Sequence, residues 1–168
     1  MVQSGGRRIK RALYVNAYSI SFINPEQRET LKKYHLVTDY VKERQKEIEI
    51  YNEQHRIDSD ILINGRRMTN LGVFRKYVEN YLRQHPGIKQ DMTIMVRQLA
   101  AEDRGIPLEL YCFTATTAWV HYEAIQADIF DHLFAAAGFF GLEIFQQPGG
   151  KDIVNAIRPL YDRAPAMN

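Results

Sequence analysis

Residues 91–114 read DMTIMVRQLAAEDRGIPLELYCFT, two runs of alternating apolar residues joined by a polar stretch that ends in glycine. Met92, Ile94 and Val96 share one side of the first run, and Leu108, Leu110 and Cys112 share one side of the second. Alternation with a period of two marks a half-buried strand. AEDRG between the runs is a polar hairpin turn. A hairpin with one apolar face needs helices to cover it, so the segments on either side decide the fold.

Upstream, TNLGVFRKYVENYLRQHP places Leu71, Phe74, Tyr77, Val78, Tyr81 and Leu82 at spacings of three and four, an amphipathic helix. Thr69 can cap it and Pro86-Gly87 stops it. Downstream, Trp119 to Phe134 reads as a second helix, its buried face built from Tyr122, Ile125, Ile129 and Leu133 with Phe130 and Phe134. Gly138 ends that helix, and LEIFQ at 142–146 returns as a strand. At the start of the chain, Ile9, Leu13 and Val15 have one parity, so residues 8–18 read as a strand.

Between that strand and the first long helix lies a polar insertion at 25–54. Asn24 followed by Pro25 is a cap with proline at the first helical position, starting a short helix in PEQRETLKKY. Residues 37–54 form a second helix with a thin seam of Val37, Val41, Ile48 and Tyr51, interrupted by Arg44. RIDSDILINGRR is a loop with room for a short extended piece. The tail, 149–168, is punctuated by glycine and proline, and only DIVNAI suits a helical turn or two. With the insertion set aside the order is βαββαβ. The expected fold is α+β, a ferredoxin-like sandwich over 1–148 with a two-helix insertion after its first strand.

Composition narrows the classes without choosing a function. Of 168 residues, 45% are apolar and 25% charged, ordinary globular usage. The 22 basic and 20 acidic residues leave a net charge of +2, too balanced for a dedicated nucleic-acid binder. No apolar run reaches the roughly 18 residues a spanning helix needs, and the basic start MVQSGGRRIKR is not followed by a signal-peptide core. Cys112 is the lone cysteine, which fits a reducing compartment and reads as a buried, inert thiol.

Polar residues interrupt the apolar runs at a few places where chemistry could sit. Seven and eleven residues along a helix return to nearly the same azimuth, so His121, Asp128 and His132 share a stripe, with Asp131 beside them. Asp128 and His132 are four apart with the acid first, the favourable order for a side-chain pair. A metal would need a further ligand from elsewhere, and no HExxH spacing exists, so no metal site is expected. RRIKR, with Arg7, Arg8 and Arg11, alternates across both faces of a strand, unlike a phosphate-tracking groove. Arg66 and Arg67 precede a helix start, where an anion could meet free N–H groups. No serine sits in a strand–turn–helix elbow. The residues show no active site and call for no cofactor, and the domain is expected to act by contact, through Arg7, Arg8, Arg11, Arg66, Arg67, Asp128, Asp131 and His132.

Taken together, SGGRRIKRALYVNAYSISF, NGRRMTNLGVFRKYVENYLRQHPGI, DMTIMVRQLAAEDRGIPLELYCFT and WVHYEAIQADIFDHLF…FQQPGG resemble the cytoplasmic C-terminal region of the small-conductance mechanosensitive channel (MscS) family, in its miniconductance branch. The resemblance runs from about residue 4 to about 150. It implies a ferredoxin-like domain beneath a tension-gated pore in the bacterial inner membrane, on the cytoplasmic side, serving the response to hypo-osmotic stress. It also implies subunits of the same channel as partners, seven-fold in the family, and no nucleic acid. In such channels the pore helices and a β-rich domain come first, so the chain reads as a fragment starting at a junction, monomeric or weakly associated when isolated. QADIFDHL then reads as a helix holding the sheet with one face and making polar contacts with its Asp128, Asp131 and His132 edge. The alternative is a free-standing ferredoxin-like regulatory module that binds a small ligand or an anion at Arg66 and Arg67.

Overall fold

The computed structural model describes residues 2–3 and 5–161. Along the chain run β1 (Val2–Gln3), β2 (Gly6–Val15), α1 (Pro25–Leu31), α2 (Thr38–Gln54), α3 (Asn70–Gln84), β3 (Met95–Gln98), β4 (Ile106–Thr114), α4 (Trp119–Ala137) and α5 (Gly150–Tyr161). The protein is α+β, with an antiparallel sheet in the order β1-β2-β4-β3.

β4 is the centre. It pairs with β2 from Arg7↔Thr114 to Val15↔Ile106 and with β3 from Met95↔Tyr111 to Gln98↔Leu108. The register sets Ile9 opposite Cys112, Leu13 opposite Leu108 and Val96 opposite Leu110, so the apolar parities of three strands fall on one face. All six are buried, in one core with Phe74, Val78 and Leu82 of α3 and Ile129, Phe130 and Leu133 of α4. The other face carries Lys10, Tyr14, Met95 and the Arg97–Glu109 ion pair at 2.7 Å, as expected of an antiparallel sheet with one open side. Gly105 closes the hairpin turn at φ 104°, where a side chain would collide with the Val15 carbonyl.

The insertion also folds as its capping residues direct. Asn24 and Gln27 form a reciprocal capping box with Pro25 at the helix start. Val37, Val41 and Ile48 are buried, and Asn52 joins them by bonding both the N–H and the carbonyl of Arg66 through its amide. That clamp fixes the loop after α2, and Gly65, at φ 73°, is the residue that lies against it. Thr69 caps α3, as its position predicts. Next to it the buried Asn70 accepts from the N–H groups of Ser21 and Leu71 and donates to the Ser19 carbonyl.

Several expectations are corrected. The first strand stops at Val15, because the Asn16 side chain accepts from Tyr18 N–H at 3.0 Å and turns residues 17–19 into a 3-10 turn. DMTI stays out of the sheet. Ile88 bridges Thr114 while Met95 pairs with Tyr111, so the chain loops out between these two anchors. LEIFQ does not form the fourth strand. It meets β2 at the single bridge Val15↔Ile144, through Asn16 N–H to Glu143 and Phe145 N–H to Tyr14, both 2.8 Å. Pro148, without an N–H, and two glycines follow at once, so pairing does not propagate. The fold shown is therefore α+β around the three antiparallel strands β2-β4-β3 edged by the short β1, without the complete ferredoxin-like sheet.

Other corrections concern faces and ends. α4 continues past Phe134 to Ala137, and Phe134 is 42% exposed, about 100° around the helix from Leu133 and off the core stripe. Tyr51 lies at the surface, stacked on His55 at 4.1 Å. The loop 55–66 holds no strand. The tail forms the twelve-residue α5, longer than a turn or two.

Two outcomes follow from these contacts. Asn70→Ala leaves three backbone groups short of partners and is expected to lower unfolding free energy by about 1–3 kcal/mol in urea titrations. Burial pushes the Cys112 thiol up to about 12. Ellman's reagent should therefore leave it unmodified at pH 8 until the chain unfolds. The sign of the linkage is fixed as well. A thiol kept neutral when folded and free to ionise when unfolded costs stability as pH climbs from the ordinary thiol range toward about 12, and nothing below that range.

Candidate functional site: an aromatic seam and an apolar hollow

The edge of α4 that carries Asp128 and His132 faces α3, where Tyr77, Tyr81 and His85 follow one another at spacings of four. Residues four apart on a helix stand one above the other, so α3 presents a ladder of rings. His132 lies flat on Tyr81, ring centroids 4.2 Å apart and planes 5° off parallel, and its Nε2 is 2.7 Å from the Tyr77 hydroxyl. Tyr81 meets His85 edge-on at 5.7 Å, and His85 Nε2 is 3.3 Å from Asp128 Oδ2. Asp128 and His132 therefore bond to α3 and not to each other, which corrects the expected pair. His121 and Asp131 are exposed.

Burial raises the Tyr77 phenol above its ordinary range. Tyr81 is raised too, by burial first and then by the negative charge of Asp128 and by Tyr77. Both phenols thus stay neutral hydrogen-bonding groups, and the seam acts as a joint between two helices. It has the stacking and polar contacts of a specific packing surface. Among the described residues no group of three or more His, Cys, Asp or Glu could hold a metal ion.

Beside the seam opens a hollow of about 480 Å³. Tyr34, Phe139 and Phe140 form its aromatic wall, Ala135 and Ala136 its floor on α4, and Tyr77 and His132 its inner edge. Tyr34 is held there by donating to the Phe139 carbonyl at 3.2 Å and by an edge-on contact with Phe140 at 5.5 Å. Lys33 and His35 stand at the rim, and no carboxylate lines the hollow. Phe139 itself is 71% exposed.

The arginines expected to make contacts are each spent on a neighbour in the same chain. Arg7 lies over Tyr122 at 4.8 Å and Arg11 over Phe130 at 4.4 Å, both clasping α4, while Arg8 faces Tyr111 on the open side of the sheet at 6.0 Å. Arg66 covers Tyr51 at 5.2 Å. Arg67 donates to the carbonyls of Ser59 and Leu62 and so staples the loop. The α3 N-terminus is capped by Thr69, and the cavity lined by Arg66 and Arg67 also holds Glu49, Glu53 and Asp60, a mixed field for an anion.

Sequence reasoning named His132 and Asp128 but missed Tyr77, Tyr81 and His85 as their partners. The signal is the four-residue spacing of those three rings, which fits core periodicity equally well. Phe139 and Phe140 were missed because they sit in a 3-10 turn after the helix.

Removing one rung at a time gives distinct costs. Tyr77→Phe deletes only the bond to His132 and should cost about 0.5–1.5 kcal/mol. His132→Ala also removes the stack on Tyr81 and should cost more, with the double variant less than additive in thermal or urea unfolding.

Comparison with known proteins agrees with this core. Residues 66–144 match the family described as "Mechanosensitive ion channel MscS, C-terminal". The low conductance mechanosensitive channel YnaI of Escherichia coli (strain K12) is 32% identical over 75 residues, 45% of this chain. The match covers 22% of that channel's length. Among the described residues no helix is long and apolar enough to cross a membrane. The matched region runs from the Arg66–Arg67 staple through α3, the hairpin and α4 to the segment that bridges β2, and over these residues the chain is similar to the MscS family of mechanosensitive ion channels.

Proposed function

We propose that this chain is the cytoplasmic vestibule domain of a tension-gated channel of the miniconductance branch, carried in the bacterial inner membrane and used in the hypo-osmotic stress response. The observation that carries the reading is the family match over 66–144, which falls on the helix–hairpin–helix unit around β4. The similarity to YnaI points the same way, toward a channel component and away from catalysis. In this reading the domain walls a solute-filtering space below a pore supplied by other parts of the protein, and subunits of the same channel are its neighbours.

The order β2, α3, β3, β4, α4, with residues 142–145 antiparallel to β2 at one bridge, supports a ferredoxin-like ancestry for residues 1–148 whose last strand is reduced to that bridge. Residues 149–168 are a separate tail, and the insertion at 25–54 elaborates the outer surface. Asp131 and the exposed sides of Arg8, Arg66, Asp128 and His132 are the polar contacts offered to neighbours. Arg7, Arg11 and Arg67 act within the subunit, on α4 and the loop.

The test is electrophysiological. The complete reading frame carrying this chain, expressed in a bacterial strain stripped of its own mechanosensitive channels, should give stretch-activated currents in excised patches and restore survival of osmotic downshock. Absence of current from correctly inserted protein would sink the channel reading.

A further inference from the structure

The insertion and the loop that follows it line a second cavity, of about 510 Å³, in which opposite charges stand without meeting. Gln45, Glu49 and Glu53 follow one another at spacings of four, so a polar stripe of α2 faces this space. α1 contributes Arg28, and the loop contributes Asp60. The apolar part of the lining includes Ile23, Ile48 and Met68, all buried.

Arg28 is the odd member. Its Nε is shut off from solvent and has no hydrogen-bond partner. Leaving a buried donor unmade is costly, and folded proteins answer such groups with a protein acceptor, a water or a bound ion. The acids nearest to hand are engaged elsewhere or stand apart. Glu29 pairs with Lys32 at 2.7 Å, and Glu49 accepts from the Gln45 amide at 2.7 Å. Among the described residues the carboxylates of Glu53 and Asp60 form no ion pair, although they line the same cavity as Arg28. The other two cations are occupied, Arg66 over Tyr51 and Arg67 on the loop carbonyls.

This arrangement selects against simple ions. An inorganic anion that reaches Arg28 also meets the field of Glu49, Glu53 and Asp60, while a simple cation leaves Arg28 without an acceptor. A molecule that carries both charges satisfies both sides, and a small apolar body suits the isoleucine and methionine lining. The volume falls within the roughly 300–1,000 Å³ of small-molecule sites. We propose that this cavity binds a small zwitterion of the α-amino acid type, with its carboxylate on the Arg28 guanidinium and its ammonium toward Glu53 and Asp60. Most of the lining precedes residue 66 and so lies outside the family match, which makes the site independent of the channel reading.

The experiment titrates each standard α-amino acid against the whole chain in thermal unfolding at fixed ionic strength. At least one is expected to raise Tm saturably. The best of them is then compared by calorimetry with the amine that lacks its carboxylate and the acid that lacks its ammonium, and each half should bind about tenfold more weakly or worse. Arg28→Met keeps the length of the stem, removes the guanidinium and should abolish binding. The pair Glu53→Gln and Asp60→Asn, both at exposed positions, should weaken it several-fold. Circular dichroism verifies folding, and if Arg28→Met does not fold the carboxylate pair decides. No saturable shift from any amino acid overturns the proposal, and the buried Nε then has only water to answer it. A half-molecule that binds as tightly as the whole overturns it as well, since a simple ion site would suffice. Binding untouched by either set of substitutions places the ligand elsewhere and overturns it too. None of these readouts involves current, so failure here and failure of the channel reading are told apart.

Discussion

β4 is hydrogen-bonded along both edges, and every other element answers to that fact. A central strand leaves no backbone group for solvent, so its side chains decide what surrounds it. Leu108, Leu110 and Cys112 point one way and are wholly buried, which obliges helices to lie across that face. α3 packs against the β3 side and α4 against the β2 side. They converge above β4, and their meeting line is where Tyr77, Tyr81, His85, Asp128 and His132 interlock. The polar seam is thus a consequence of the sheet. Two helices forced onto one three-stranded face must touch, and rings that offer both flat surfaces and hydrogen-bonding edges make that touch specific in a way that aliphatic packing does not.

The same constraint explains the arginines. Gly6–Val15 needs Ile9, Leu13 and Val15 inward, and the residues of the same parity at 7 and 11 are then carried toward α4. A lysine or glutamate there would bring a strongly hydrated group against apolar rings. Guanidinium is planar and weakly hydrated, so it can lie on Tyr122 and Phe130 while its edge stays in water. A basic stretch in sequence is, in space, the flank of a helix–sheet contact.

How much of this was legible follows from the range of the interaction involved. Alternation and three-to-four spacing report short-range geometry, and they located β4, α3, α4 and the capped starts at Asn24 and Thr69 because those depend on neighbours within a few residues. They overextended the first strand, since a side chain such as Asn16 can capture a backbone N–H and end a strand without changing the apolar pattern. They also overstated LEIFQ. Its alternation is sound, but a strand needs a free partner edge and donors that continue, and Pro148 removes one. The site was half legible for the same reason. Asp128 and His132 stood out as polar residues in a greasy run, yet their true partners sit 43 and 55 residues away in sequence. No periodicity within α4 names them. The motif resemblance did better because it draws on segments far apart in the chain at once.

The family match falls on residues 66–144, and the parts outside that span differ from it in kind. The matched core covers its apolar surface from within, through β4 and its two helices. The insertion does so only along the thin seam of Val37, Val41 and Ile48 and through the Asn52 clamp. α5 does not do so, leaving three aliphatic side chains in water. A scaffold that satisfies itself at the centre and leaves an amphipathic helix and an aromatic hollow exposed at its margin keeps the residues of its core apart from the apolar ones it shows to solvent. Substitution at the margin then leaves the core that carries it intact.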